Sequence, residues 1–327
     1  MIYPEFLKKD STIGICAPSS AIFPDDLEFD ISLQRLKSEG YNIKETAHVR
    51  TGLIESSPAP IRGEEFNQLI ADGEVDAIIC ASGGDFLISM LPYVDYEAIK
   101  KTPKWVQGYS DPTSLLYSIT TKCDVATIYG ANAGGFWMNV LDESVKNGLK
   151  ILRGDIPVQN SFELYETDRS GRNGGYNLTE PVKWVCPNGD FSAKGRLIGG
   201  CMDCLVDLIG TRFDGTRDFI ERYKDDGILW YFDIFALKAE NVHNTLFRMK
   251  DMGLFDHASG FIFGRVCFPG TFADISYIDA ARKILGDAPM VFEADIGHVS
   301  PKFTVINGAL GEVKCQYGKG SLKISLT

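Results

Sequence analysis

Through its first half the chain alternates apolar runs of strand length with segments of helical period, joined by short links, and this alternation constrains the fold more than any other feature. Ser11 to Ala17 reads as a strand, Phe29, Leu33 and Leu36 mark one face of a helix that stops at Gly40, and Tyr41 to Thr46 returns as a strand. Ile61 to Ala71 follows as a helix, Val75 to Ala81 as a buried strand and Phe86 to Leu91 as a short helix. Trp105 to Gly108 is then a strand and Thr113 to Thr121 a helix. Strands linked through helical crossovers run parallel, and a parallel sheet needs helices on both faces. The pattern therefore predicts an α/β fold whose N-terminal domain, residues 1–155, is a doubly wound, mainly parallel sheet. In such sheets ligands bind beyond the carboxyl ends of the strands. Two turns fall there, Ser82-Gly83-Gly84-Asp85 and Tyr109-Ser110-Asp111, and both are expected to face one crevice.

The character changes after about residue 155. Residues 156–190 read as a linker and a long loop, because Tyr165 to Asn177 is polar, Gly-rich and without period. Residues 191–327 then form a second, smaller, mixed β-rich α/β domain. Its strands are Lys194 to Ile198, Gly227 to Asp233, Gly260 to Gly264, Met290 to Glu293 and Phe303 to Ile306, with a clear helix over Asn241 to Met252.

Composition excludes several classes of function. The 327 residues carry a net charge of −11, and no Lys or Arg run exceeds two residues. Nucleic acid and anionic membrane surfaces reward basic patches and are not expected partners. No stretch approaches the roughly 18 apolar residues of a membrane span, and the N-terminus lacks an apolar core of signal-peptide length. A cytoplasmic location is expected. The eight cysteines are scattered, several inside apolar runs, and read as reduced, buried thiols. Cys201 and Cys204 have redox spacing, but they open a helical pattern without the second pair of a structural zinc site. His48, His243, His257 and His298 have no mutual ligand spacing. Neither a metal nor a cofactor is expected.

Ser110 stands on a sharp turn between a strand and a helix that carries Pro112 in its first turn. There it either caps the helix or acts as a nucleophile beside unpaired backbone N–H groups. A serine nucleophile needs a base, and the base needs a group to orient it. His298 ends Val291-Phe292-Glu293-Ala294-Asp295-Ile296-Gly297, where a strand runs into a Gly-containing loop, which suits a base; His243 and His257 read as surface residues. Asp233 closes the apolar strand Ile228-Leu229-Trp230-Tyr231-Phe232, as an orienting acid or as a strand-end cap and partner for Lys238. The order Ser, Asp, His matches one route to a catalytic triad.

These residues resemble the serine LD-carboxypeptidases and the related peptidases of microcin C immunity, peptidase family S66. Ile13-Gly14-Ile15-Cys16-Ala17-Pro18-Ser19-Ser20 is similar to the family's opening strand and turn, and Ser82-Gly83-Gly84 to its glycine turn. Gly108-Tyr109-Ser110-Asp111 resembles the nucleophile motif, Gly195-Arg196-Leu197-Ile198-Gly199-Gly200 the start of the second domain, and Asp295-Ile296-Gly297-His298 the histidine segment. The resemblance implies a serine hydrolase with a triad of Ser110, Asp233 and His298. It implies an oxyanion hole from backbone N–H groups of Gly83, Gly84, Asp85 and Asp111, and a homodimer without cofactors. The expected substrate is a small peptide, a muropeptide or an aminoacyl-nucleotide, hydrolysed at a C-terminal amide. The family carries Glu where this chain has Asp233, and many carboxypeptidases have Tyr-Gly, preceded by Arg, where this chain has Asp85-Phe86. The Tyr165 to Trp184 insertion looks more like the immunity branch, in which Tyr176 or Trp184 is expected either to stack on a base or to pack onto its own domain. The other class of function open to such a chain is a catalytically weak or silent small-ligand binding protein.

Overall fold

A computed structural model describes residues 1–327 as two compact units. The first comprises Met1–Ile156, Asn173–Gly175 and Thr304–Gly308; the second holds the remainder. In chain order the elements are β1 (Thr12–Cys16), α1 (Leu27–Ser38), β2 (Asn42–Glu45), α2 (Ala59–Ala71), β3 (Ala77–Cys80), α3 (Tyr96–Lys101), β4 (Trp105–Gly108), α4 (Thr113–Cys123), β5 (Thr127–Tyr129) and α5 (Glu143–Leu152). There follow β6 (Gln159–Asn160), β7 (Leu164–Tyr165), β8 (Glu180–Pro181), β9 (Phe191–Cys201), α6 (Met202–Leu208), α7 (Thr216–Tyr223), β10 (Ile228–Asp233), α8 (Ala239–Asp251), β11 (Ala258–Gly264), α9 (Tyr277–Leu285), β12 (Met290–Ala294), β13 (Val305–Asn307), β14 (Leu310–Gln316) and β15 (Lys319–Ser325).

The first unit is built on a six-stranded sheet in the order β13-β5-β4-β3-β1-β2. Strands β1 to β5 are parallel, and β13 joins antiparallel at the edge, Val305 opposite Tyr129. Every residue of β3, β4 and β5 is buried, as the inner strands of a sheet covered on both faces must be. Strand β2, at the edge, is mostly exposed. The parallel order 2-1-3-4-5 reverses direction between β1 and β3, so the turns after those strands open the crevice typical of doubly wound sheets.

The second unit carries a seven-stranded mixed sheet, β12-β11-β10-β9-β14-β15-β6. Strand β9 is its pivot. Residues 191–196 pair antiparallel with β14, and the first four of them alternate between buried and exposed, whereas residues 196–201 run parallel to β10 and are wholly buried. The halves obey different side-chain periods because one face of the antiparallel half stays open.

Two expectations change. Phe303 to Ile306 reads as a second-domain strand, yet β13 pairs with β5 in the first unit; so short a run fits either sheet, and its partner is far away in sequence. The stretch 156–190 contains β6, β7 and β8, and apart from Ile156 and Asn173–Gly175 it belongs to the second unit, with β6 paired to β15 and β7 to β8.

Candidate active site

In the first unit Ser110 has φ of +71°, a left-handed conformation that costs a residue with a Cβ. Its surroundings hold it there. The Tyr109 N–H donates to Asn132 Oδ1 at 3.1 Å, the Ser110 N–H to the Tyr129 hydroxyl at 3.4 Å, and the Ser110 carbonyl accepts from Thr113 at the start of α4, at 2.9 Å. A strand, a strained turn and a helix in this order make the elbow that lifts a nucleophile clear of its neighbours.

Beneath it lies the buried carboxylate of Asp111, which accepts from the Ser19 hydroxyl and from the Leu87 N–H (2.9 Å). Burial raises the pKa of Asp111, and the hydrogen bonds from Ser19 and Leu87 only partly oppose it. Asp111 thereby joins the turns that follow β1 and β4.

The glycine turn comes against the serine. The Ser20 N–H donates to the Gly83 carbonyl at 3.1 Å, and the Ser82 hydroxyl to the Ser20 carbonyl at 2.8 Å. A Cβ on Gly83 would stand 3.0 Å from both Cβ and Oγ of Ser110, so only glycine allows this approach without displacement. Gly84 lies against the Ser19 and Ser20 hydroxyls, and Asp85 beyond it is exposed. Gly83 and Asp111 thus gather at Ser110, and Gly84 at Ser19 and Ser20.

In the second unit Asp233, wholly buried, is the last residue of β10. His298 follows β12 in a loop, and its Nδ1 lies 2.8 Å from Asp233 Oδ2. The carboxylate reaches the imidazole despite being one methylene shorter than Glu. Gly297 makes the approach possible: its φ is +110°, and a Cβ there would collide with Asp233 Oδ1. Arg169 donates to the His298 carbonyl at 2.8 Å, and the Phe235 ring packs 4.6 Å from the imidazole, centroid to centroid. Asp295 fixes the start of the loop, accepting from Arg265 (2.6 Å) and from the Trp184 indole N–H (2.9 Å). Burial raises the Asp295 pKa, with Arg265 pulling it back.

A cavity of about 540 Å³ opens beside His298, walled by Tyr165, Thr167, Arg169, Arg265 and Phe268. The Gly-rich segment thus supplies one wall of a pocket. Arg172 stands 5.3 Å over the ring of half-buried Tyr176. Trp184 requires a correction. Its side chain is 2% exposed, packed against Phe303 and Gly320, so no face of the indole is open to stack on a base. Sequence reasoning missed Arg169, Arg265 and Asp295 because they act through contacts made at long range.

Cys201 is also at this site. It is the β9 residue paired with Asp233, and ligand-capable atoms of Cys201, Asp233 and His298 all lie within 4.8 Å of one another.

Comparison with known proteins decides the family. The LD-carboxypeptidase N-terminal domain matches residues 13–130, and the LD-carboxypeptidase C-terminal domain matches residues 194–313. The chain belongs to the LD-carboxypeptidase family, S66. A Vibrio cholerae serotype O1 protein whose carboxypeptidase assignment is provisional is 28% identical, covering 96% of this chain and 95% of its own. The microcin C7 self-immunity protein of Escherichia coli is 28% identical over 66% of this chain and 63% of its own. Among solved structures, a mutant of the microcin C7 self-immunity protein in complex with adenosine monophosphate shares the fold with a TM-score of 0.84 at 22% identity, over 100% of both chains. This S66 chain contains no helix long and apolar enough to cross a membrane.

Proposed function

We propose that the protein is a serine peptidase that hydrolyses an amide at the C-terminal end of a small peptide or of a peptidyl- or aminoacyl-nucleotide. In this reading Ser110 attacks the carbonyl, His298 takes its proton and returns it to the leaving amine, and Asp233 fixes the imidazole tautomer. Backbone N–H groups of Gly83, Gly84, Asp85 and Asp111 hold the oxyanion. The observation that carries the reading is the backbone of Ser110, a non-glycine residue at φ +71° on a strand-to-helix turn in a chain of the S66 family. Strain of that kind persists where the surrounding structure over-determines it, as nucleophile sites do. The Asp233–His298 approach at 2.8 Å supports the same assignment.

For the substrate we favour the aminoacyl-nucleotide branch. The 540 Å³ cavity beside His298 has the size of a small-molecule site and carries two guanidinium groups, Arg169 and Arg265. Self-immunity protein structures in this fold hold aspartyl sulfamoyl adenosine and glutamyl sulfamoyl guanosine. Purified protein offered an L,D-linked tetrapeptide and an aminoacyl-sulfamoyl adenosine side by side is expected to release the amino acid from the second. A fluorophosphonate is expected to label Ser110, with labelling abolished in His298→Ala. Absence of both labelling and release removes the enzyme assignment; release of D-Ala alone moves the chain to the carboxypeptidase branch.

A further inference from the structure

Cys201 has no part in the reaction described above, yet it lies against two of its residues. The parallel register of β9 and β10 sets Cys201 beside Asp233, and the loop after β12 brings His298 over both. All three side chains are buried, at 2%, 0% and 5% exposure. A thiol, a carboxylate and an imidazole within 4.8 Å of one another form the mixed sulfur, oxygen and nitrogen set that zinc accepts. Ligands of a tetrahedral zinc ion stand about 3.3–3.7 Å apart, given Zn–S near 2.3 Å and Zn–N or Zn–O near 2.0–2.2 Å. To hold the ion the Asp233–His298 approach, at 2.8 Å, opens by roughly 0.5 Å, and the sulfur closes by roughly 1 Å at most.

We propose that Cys201, Asp233 and His298 form a zinc-binding site, and that an ion held there withdraws the acid and the histidine from catalysis. Binding breaks the Cys201 S–H bond and forms an S–Zn bond, with the proton released to solvent. The carboxylate and the neutral imidazole each donate a lone pair, and water takes the fourth position. The Cys201 thiol donates to the carboxylate of Asp203, in the first turn of α6, at 3.9 Å, and this contact orients the sulfur. The consequence for hydrolysis rests on the proposed triad; the binding does not.

The test separates the two. Chelator-treated protein is titrated with Co²⁺, a spectroscopic stand-in for zinc. The expected result is one equivalent bound, with a thiolate-to-cobalt band in the near ultraviolet that added Zn²⁺ removes. Cys201→Ser and His298→Ala are each expected to lose the band, and Cys186→Ser, at a thiol paired with Cys315 instead, to keep it. No band, or a band that survives Cys201→Ser, overturns the site. Near-ultraviolet circular dichroism checks that the variants are folded. X-ray absorption on zinc-loaded wild type gives a second reading, with one sulfur among nitrogen and oxygen ligands expected; a sulfur-free or two-sulfur shell overturns the assignment. With active enzyme, Zn²⁺ is expected to lower turnover at least tenfold, reversibly by chelator, while Cys201→Ser keeps its own zinc-free rate. Equal inhibition of both overturns the proposed consequence for catalysis. If no substrate is turned over, the cobalt spectrum still decides the binding site.

Discussion

The turn that carries Ser110 and the pair formed by Asp233 and His298 achieve placement by opposite means. In the first unit the Ser110 side chain is placed by its own backbone, at φ +71°, and the surrounding hydrogen bonds hold a conformation the residue would not choose. In the second unit the side chains are placed by strand register, by a loop brought close through Gly297, and by burial of a polar pair. Function and stability are therefore expected to oppose one another at Ser110 and to coincide at Asp233. A residue strained at positive φ becomes less strained when replaced by glycine; a buried partner removed leaves the other exposed to an apolar surrounding.

The sharpest way to break this comparison is at the serine. Ser110→Ala is expected to reduce turnover by about 10⁴–10⁶-fold, the range for loss of a triad nucleophile. Ser110→Gly is expected to lose as much activity while raising the melting temperature, because glycine adopts positive φ without the roughly 1 kcal/mol that a Cβ adds. Turnover and thermal melts on the two variants together check this. A Ser110→Gly protein that melts lower than wild type would show that the serine side chain stabilises the turn more than its backbone strains it.

At the acid, Asp233→Asn is expected to slow turnover by about 10⁴-fold, since the amide favours the wrong imidazole tautomer. Asp233→Glu tests reach. The existing carboxylate is already 2.8 Å from Nδ1 and wholly buried, so the added methylene has to displace the Gly297 loop. An order-of-magnitude fall in turnover is expected, on the overpacking argument, and a rise would mean that reach limits the rate. Gly297→Ala crowds the same contact from the other side. It is expected to lose about 1–3 kcal/mol of stability together with activity, in contrast to Ser110→Gly.

How much of this was legible in the sequence follows the same division. The βα alternation gave the parallel sheet because its signals are local: strand-length apolar runs, Gly40 as a stop, and Pro112 in a first turn. Ser110 stood out for that reason, since its strand, turn and helix are contiguous. Asp233 and His298 were visible only as strand ends, and their approach depends on a chain reversal that no period records. Cys201 was read as a buried thiol lacking a second cysteine pair; its neighbours came instead from β10 and the loop after β12. Trp184 stood open between stacking and packing because a loop aromatic reads alike in either state, and the hydrogen bond to Asp295 that goes with its packing spans distant segments. The three-residue β5 and β13 are too short to show a period, and so the edge of the first sheet was the part least readable.

The smallest expected effect concerns the Asp111 carboxylate at the Ser110 turn, and it extends the comparison to pH. Burial raises the Asp111 pKa above its usual 3.8 in the folded protein, the Ser19 and Leu87 hydrogen bonds notwithstanding. The folded state then holds a proton that the unfolded chain releases, so this residue contributes stability that is fully present below about pH 3.8. That contribution is lost as pH rises through the folded pKa. Asp111→Asn removes the titration and keeps an acceptor for Ser19 and Leu87. The stability advantage of wild type over Asp111→Asn is accordingly expected to be largest in acid and to shrink toward neutrality, measured by denaturant melts at a series of pH values. An advantage that grows from acid toward neutrality would mean that the ionised carboxylate is the favoured form in the fold. Asp111 would then hold the serine turn through charge, and the first unit would resemble the second more closely than its backbone suggests.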